Sequence, residues 1–241
     1  MTADAGDLIS VGQVQVLLAT AEDWVRDYTN VDRNRTGSAP YAYPAYERYA
    51  EETNDPLLLT DGDLLAPVLL NVRLSIRSFY ALQHSRPELH KALANPDLAR
   101  PLAEIEDPER IAAMVKPLYA VLDDPAAKPW GVEGTTLSKV LHRKRPQSLV
   151  LHDRWVRACY VGGDGPVPRA QERSWADYMT ALTQAIGDDL RTQAAKFNQL
   201  AKATGKSGEV SHVRLLDVLA WKSQGHTPAD AVEVSEPYDQ P

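Results

Sequence analysis

The chain has 241 residues, 44% of them hydrophobic and 24% charged, which is enough to bury a core and too apolar for wholesale disorder. Its net charge of −7 argues against an extended nucleic-acid surface. The one cysteine, Cys159, excludes an intramolecular disulfide and any all-cysteine zinc or iron–sulfur site within a single chain. A reducing cytoplasm is the expected setting.

The opening residues MTADAGDLISVG lack the basic and apolar regions of a signal peptide. The apolar run at 64–72 is broken by Pro67 and Asn71 and is far shorter than the roughly 20 residues of a membrane span. A soluble protein with no membrane partner is expected.

Residues 10–29 place Val14, Leu17, Leu18, Ala21, Trp24, Val25 and Tyr28 at helical spacing, which predicts an amphipathic helix. Residues 30–44 are rich in Asn, Asp, Gly, Ser and Pro and read as a loop. Tyr41, Tyr43, Tyr46 and Tyr49 follow, either as a stacking surface for bases or as rings folded onto the core with their hydroxyls outward. Thr60 and Asp63 have the spacing of a capping box, and LLAPVLLNVRLSI continues that helix with a kink expected at Pro67.

Residues 85–128 read as short helices punctuated by prolines, with Asp107 and Pro108 as an N-cap and first helical residue. Residues 175–204 pattern as one long helix, and 210–221 as a last apolar one. Strand alternation is scarce, so the fold is expected to be all-α, or mainly so: a multi-helix globular fold with a helix-hairpin-helix-like element. The organisation is read as a single all-α domain over residues 1–226, open to division into two helical lobes with the hairpin near 130–160. Residues 227–241 read as a disordered acidic tail.

Chemistry concentrates in residues 130–160, WGVEGTTLSKVLHRKRPQSLVLHDRWVRACY. Between 131 and 160, Lys139, Arg143, Lys144, Arg145, Arg154 and Arg157 stand against Glu133 and Asp153, a local balance of +4 that leaves −11 for the rest. Gly131 and Gly134 bracket a tight turn into a helix over 135–144. Such a helix N-terminus offers free N–H groups to phosphate, with the cations adding charge; equally, the cations suit the helix's C-terminal end in solvent. Asp153 follows an apolar run and fits the N-cap of the next helix. His142 and His152 are candidate proton carriers or phosphate contacts, or surface histidines. No metal-ligand set stands out.

The order Gly131, Val132, Thr136, Asp153 resembles the helix-hairpin-helix DNA glycosylases typified by endonuclease III and the adenine glycosylases. These carry a Gly-Val-Gly hairpin, a Thr-Ala helix, and an apolar run ending in an aspartate that opens the next helix. DLLAPVLLNVRLS is similar to an early helix of that superfamily and puts Arg73 where a glutamine wedges into the DNA stack. Glu133 replaces the second hairpin glycine or displaces it to Gly134, and Thr135 holds the place of the Schiff-base lysine, so covalent lyase chemistry is not implied.

The resemblance implies a DNA-binding protein that cleaves the N-glycosidic bond of a modified base as a monofunctional hydrolase. Asp153 would be the catalytic carboxylate, no cofactor would be needed, and Gly131, Gly134, Thr135, Thr136, Lys139, Arg143, Lys144, Arg145 and Arg73 would contact DNA. The alternatives are a non-catalytic nucleic-acid-binding module and a helical protein–protein adaptor. The overall pattern, with RKRP and SHVRLLDVLAW, also resembles a bacterial family of unknown function.

Overall fold

A computed structural model describes residues 8–49, 55–170, 172–206 and 208–225. The acidic tail expected at 227–241 lies outside them. The described residues are 61% helical with one two-stranded sheet among them, so the fold is mainly α. Among the described residues, no helix is long and apolar enough to cross a membrane.

The first element corrects the expectation of a helix from residue 10. β1 (Leu8–Val11) and β2 (Val14–Leu17) form an antiparallel hairpin in which Ile9 pairs with Val16 and Val11 with Val14. Ile9, Val11 and Val16 all point inward. A two-residue turn joins the strands, and Gly12 at its first position has φ +57°, a value glycine adopts without strain. A Cβ there would meet the Cys159 carbonyl oxygen at 2.2 Å, so the turn is pressed against the chain near Cys159.

α1 (Leu18–Tyr28) carries the rest of the expected stripe and packs against the last two helices. The segment read as a loop at 30–44 includes α2 (Val31–Thr36), capped by the Asn30 side chain, and precedes α3 (Ala45–Arg48). Tyr41, Tyr43 and Tyr46 are buried, with only Tyr49 exposed. Their hydroxyls donate to Asp27, Glu209 and the Lys139 carbonyl, so these rings belong to the core.

α4 (Asp61–Leu65) starts with the expected capping box between Thr60 and Asp63. The element then tightens into a 3₁₀ turn (Ala66–Leu70) and stops at Asn71, whose φ of +60° ends the helix in the left-handed region. Arg73 therefore lies on the exposed connection to α5 (Ile76–Leu93) and not within a helix.

α5 runs through Pro87, and α6 (Pro108–Tyr119) through Pro117, so the middle of the chain is less fragmented than its prolines suggest. Leu82, Leu89 and Leu93 pack inward on both sides of Pro87 and hold that helix together. Asp107 caps α6 with Pro108 at its first position, as expected. α7 (Gly134–Lys144) and α8 (Arg154–Tyr160) follow. The long helix expected at 175–204 is two, α9 (Trp175–Thr192) and α10 (Ala194–Ala203), broken at Gln193, whose side chain bonds the backbone of Ser10 in both directions. α11 (His212–Ser223) closes the fold.

α7 is central to this arrangement. All eleven of its residues, GTTLSKVLHRK, are buried, although more than half are polar. Polar groups on a buried helix need partners; the surrounding elements supply many of them, and Arg143 Nε is left without one among the described residues.

Candidate active site

The hairpin entering α7 is held by packing. Gly131, with φ +66°, presents its carbonyl to the Ser78 hydroxyl. A Cβ on Gly134 would lie 2.1 Å from the Trp175 ring, so this glycine admits a tryptophan against the start of the helix. Thr135 and Thr136 are buried. The Thr135 hydroxyl lies 3.3 Å from His152 Nδ1, and the Ser138 hydroxyl accepts from the His152 N–H at 3.0 Å.

The basic cluster is also internal. The Arg143 guanidinium donates to the Tyr49 carbonyl. Lys144 Nζ pairs with Asp63 Oδ2 at 2.7 Å and donates to the Asp55 carbonyl at 3.0 Å. That Asp63 oxygen also serves the capping box of α4, so one carboxylate ties α4 to α7. Arg145 is half-buried and reaches the Leu93 carbonyl at 3.2 Å. In this arrangement Gly134, Thr135, Thr136, Arg143 and Lys144 do not face solvent. Of the residues proposed to contact DNA, Gly131 and Arg73 are exposed. His142 and His152 are buried core histidines: His142 Nδ1 is 2.6 Å from the Leu149 carbonyl, and His152 Nε2 is 3.1 Å from the Tyr178 hydroxyl.

Asp153 caps a helix and also lines a cavity. Its Oδ1 caps α8, accepting from Trp155 N at 2.9 Å and Val156 N at 3.0 Å. Its Oδ2 faces Lys139 Nζ at 3.8 Å. The same residue also lines a cavity of about 280 Å³. That volume is near the lower end for small-molecule pockets, which run from roughly 300 to 1,000 Å³, and suits one compact group.

The cavity has aromatic and aliphatic walls from Tyr28, Tyr41, Trp155, Trp221, Leu69 and Leu70. Asn71, held at φ +60°, sits on its rim. Arg154 is exposed and stacks its guanidinium 4.0 Å from the Trp155 ring centre.

Arg214 and Asp217, one turn apart on α11, supply the remaining charge. Arg214 is fully engaged: Nη1 donates to Asp217, Nε to Glu47 at 2.9 Å and Nη2 to the Tyr28 hydroxyl at 2.6 Å. Burial works against its charge, and Tyr28, Asp217 and Glu47 more than restore it. Burial pushes the Asp217 carboxyl up to about 6, with Arg214 pulling it down, the Asp153 charge adding to the rise and Lys139 opposing it.

The model of a family described as "Family of unknown function (DUF6308)" matches residues 21–224. The chain belongs to that family. The match takes in every wall of the cavity from Tyr28 to Trp221 and leaves out the N-terminal hairpin. No curated protein and no solved structure matches the chain. Arg214 and Asp217 went unread as site residues because their segment reads as an apolar helix. The available signal was a cation and a carboxylate three positions apart on its buried face.

Proposed function

We propose that the protein cleaves an N-glycosidic bond, with a nucleobase held in the cavity and Asp153 beside the sugar carbon. The observation that carries this reading is the position of Asp153 on the cavity wall, fixed by two backbone N–H groups through one oxygen. As the bond to the base breaks, positive charge develops on the sugar, and a preorganised carboxylate stabilises that charge where it forms. Water then completes a monofunctional hydrolysis.

The walls support a flat, uncharged or cationic occupant better than a phosphate. Arg214 is shared by Asp217, Glu47 and Tyr28, and Lys139 faces Asp153, which leaves little unmatched positive charge inside. A nucleic-acid backbone would stay outside, against the exposed Arg154 and Arg73. This is a small electrostatic footprint and fits the acidic body of the protein.

The test is incubation of the protein in excess over duplex oligonucleotides that each carry one modified base, with chromatographic detection of free base. Release from at least one duplex is expected. Binding at low salt without release from any would leave the nucleic-acid-binding module, and absence of both would end the DNA reading.

A protein partner is the second reading, and a separate observation favours it. Ile76, Tyr80 and Trp130 are 77%, 62% and 51% exposed, and Arg77 stacks over Trp130 at 4.0 Å. Ile76 and Tyr80 lie one turn apart on α5, and exposed apolar groups that share a helix face are characteristic of interaction surfaces.

A further inference from the structure

We propose that the exposed face around Ile76, Tyr80 and Trp130 receives an acidic, amphipathic helical segment of another protein. This rests on the protein-partner reading above and names the chemistry of that partner.

Hydrogen bonds lay α5 antiparallel against α4 and the residues before it. The Leu59 N–H donates to His90 Nε2 at 2.8 Å, and Gln83 and Arg86 both donate to Asp61 Oδ1. Toward the N-terminus of α5, that register runs from Gln83 to Tyr80 and Ile76 on one helix and from Asp61 to exposed Leu65 on the other. Trp130 joins the face from a third element. The Arg77 guanidinium lies over its ring, and the Ser78 hydroxyl donates to the neighbouring Gly131 carbonyl at 3.3 Å. Apolar groups one turn apart on α5 meet a facing helix that carries its own at the same spacing.

Charge sets the sign of the partner. Arg73 and Arg77 are exposed, and among the described residues neither pairs with a carboxylate. The acids on the adjoining segments are already matched, Asp61 by Arg86 and Glu133 by Lys128. Both free arginines lie at the N-terminal end of α5, where the helix dipole adds positive potential. A positive, apolar spot on a protein of net charge −7 suits an acidic partner. A second copy of the chain suits it less, because a twofold contact sets the same arginines near one another. Nucleic acid suits it less as well, since Leu65 and Ile76 offer no ring on which a base can stack.

The experiment is selection from a random displayed peptide library on the native full-length protein, followed by affinity measurements on native protein and on a variant carrying Arg77→Glu and Tyr80→Ser. Enriched peptides should be net acidic, with apolar residues at helical spacing. They should bind the native protein at least about tenfold more tightly than the variant and lose affinity as salt is raised.

The charge of the enriched peptides is read on the native protein alone, so enrichment of neutral or basic peptides overturns the assignment even if the variant does not fold. If those peptides still lose affinity in the variant, the protein-partner reading stands. No enrichment, or peptides that bind both proteins equally, ends both. Dimerisation in sedimentation equilibrium that the variant loses gives the face to a second copy, and binding of single-stranded oligothymidine that the variant loses gives it to nucleic acid; either result overturns the proposal.

Discussion

At Asp153, the helix cap and the proposed chemistry fall on different oxygens of one carboxylate, and substitutions can separate these two duties. Asp153→Asn and Asp153→Ala both lose the charge that faces buried Lys139, but asparagine caps a helix about as well as aspartate, so the asparagine variant should be the more stable of the two. Asp153→Ala removes both duties, and loss of the cap should cost about 1 kcal/mol in urea unfolding. An asparagine variant no more stable than the alanine one would mean that the charge of Asp153, and not its cap, holds this part of the fold together.

His142 gives the fold a pH dependence of its own. Burial holds its imidazole down to about 3, with the Leu149 carbonyl opposing and Arg214 and Arg143 assisting. The unfolded chain takes up this proton near the ordinary value of 6.5, and the folded protein does so only near 3. The stability it contributes is therefore complete above pH 6.5 and is lost as pH falls toward 3. Asp217, pushed up to about 6 from 3.8, works in the opposite direction between those values. The informative quantity is thus the difference between native protein and His142→Asn at each pH. That difference should shrink between pH 6.5 and 4.5 by on the order of 1 kcal/mol per pH unit; a constant difference would show that folded His142 takes up its proton as readily as the unfolded chain does.

Among the elements, α7 determines how its charges should be understood. Lys144 is 1% exposed and paired with Asp63, so Lys144→Ala leaves a buried carboxylate without its cation and should cost roughly 3–5 kcal/mol in urea unfolding. DNA affinity of the folded variant should change less than about twofold, whereas a tenfold loss would put Lys144 on phosphate. This partnership was not legible in the sequence. The acceptors of Arg143 and Lys144 include the carbonyls of Tyr49 and Asp55, far away in the chain, and a carbonyl leaves no compositional trace.

Local signals read well: Thr60 with Asp63, Asp107 with Pro108, and Asp153 each mark a cap within three residues of its target. The N-terminal hairpin was missed because Val14, Leu17 and Leu18 also fit a helical period, although Ile9, Val11 and Val16 alternate around Gly12. The break at Gln193 depends on Ser10, at the other end of the chain, and had no local marker.

Over the whole molecule, burial of the basic cluster changes what the charge distribution means. Half of the cations at 131–160, Lys139, Arg143 and Lys144, are buried and serve the interior, and the exposed arginines of the described residues are spread along the chain on an acidic protein. If Arg73 and Arg154 carry the backbone contact, log K for duplex DNA should fall against log salt with a slope near about −2. A slope of about −5 or steeper would require the cluster itself to reach phosphates.

Single-turnover base release by Asp153→Asn beside the native protein asks whether the Asp153 carboxylate stabilises the sugar cation. Release should be slowed by about 100-fold or more, with duplex affinity within about threefold of native. Release by Asp153→Asn at the native rate would contradict that role.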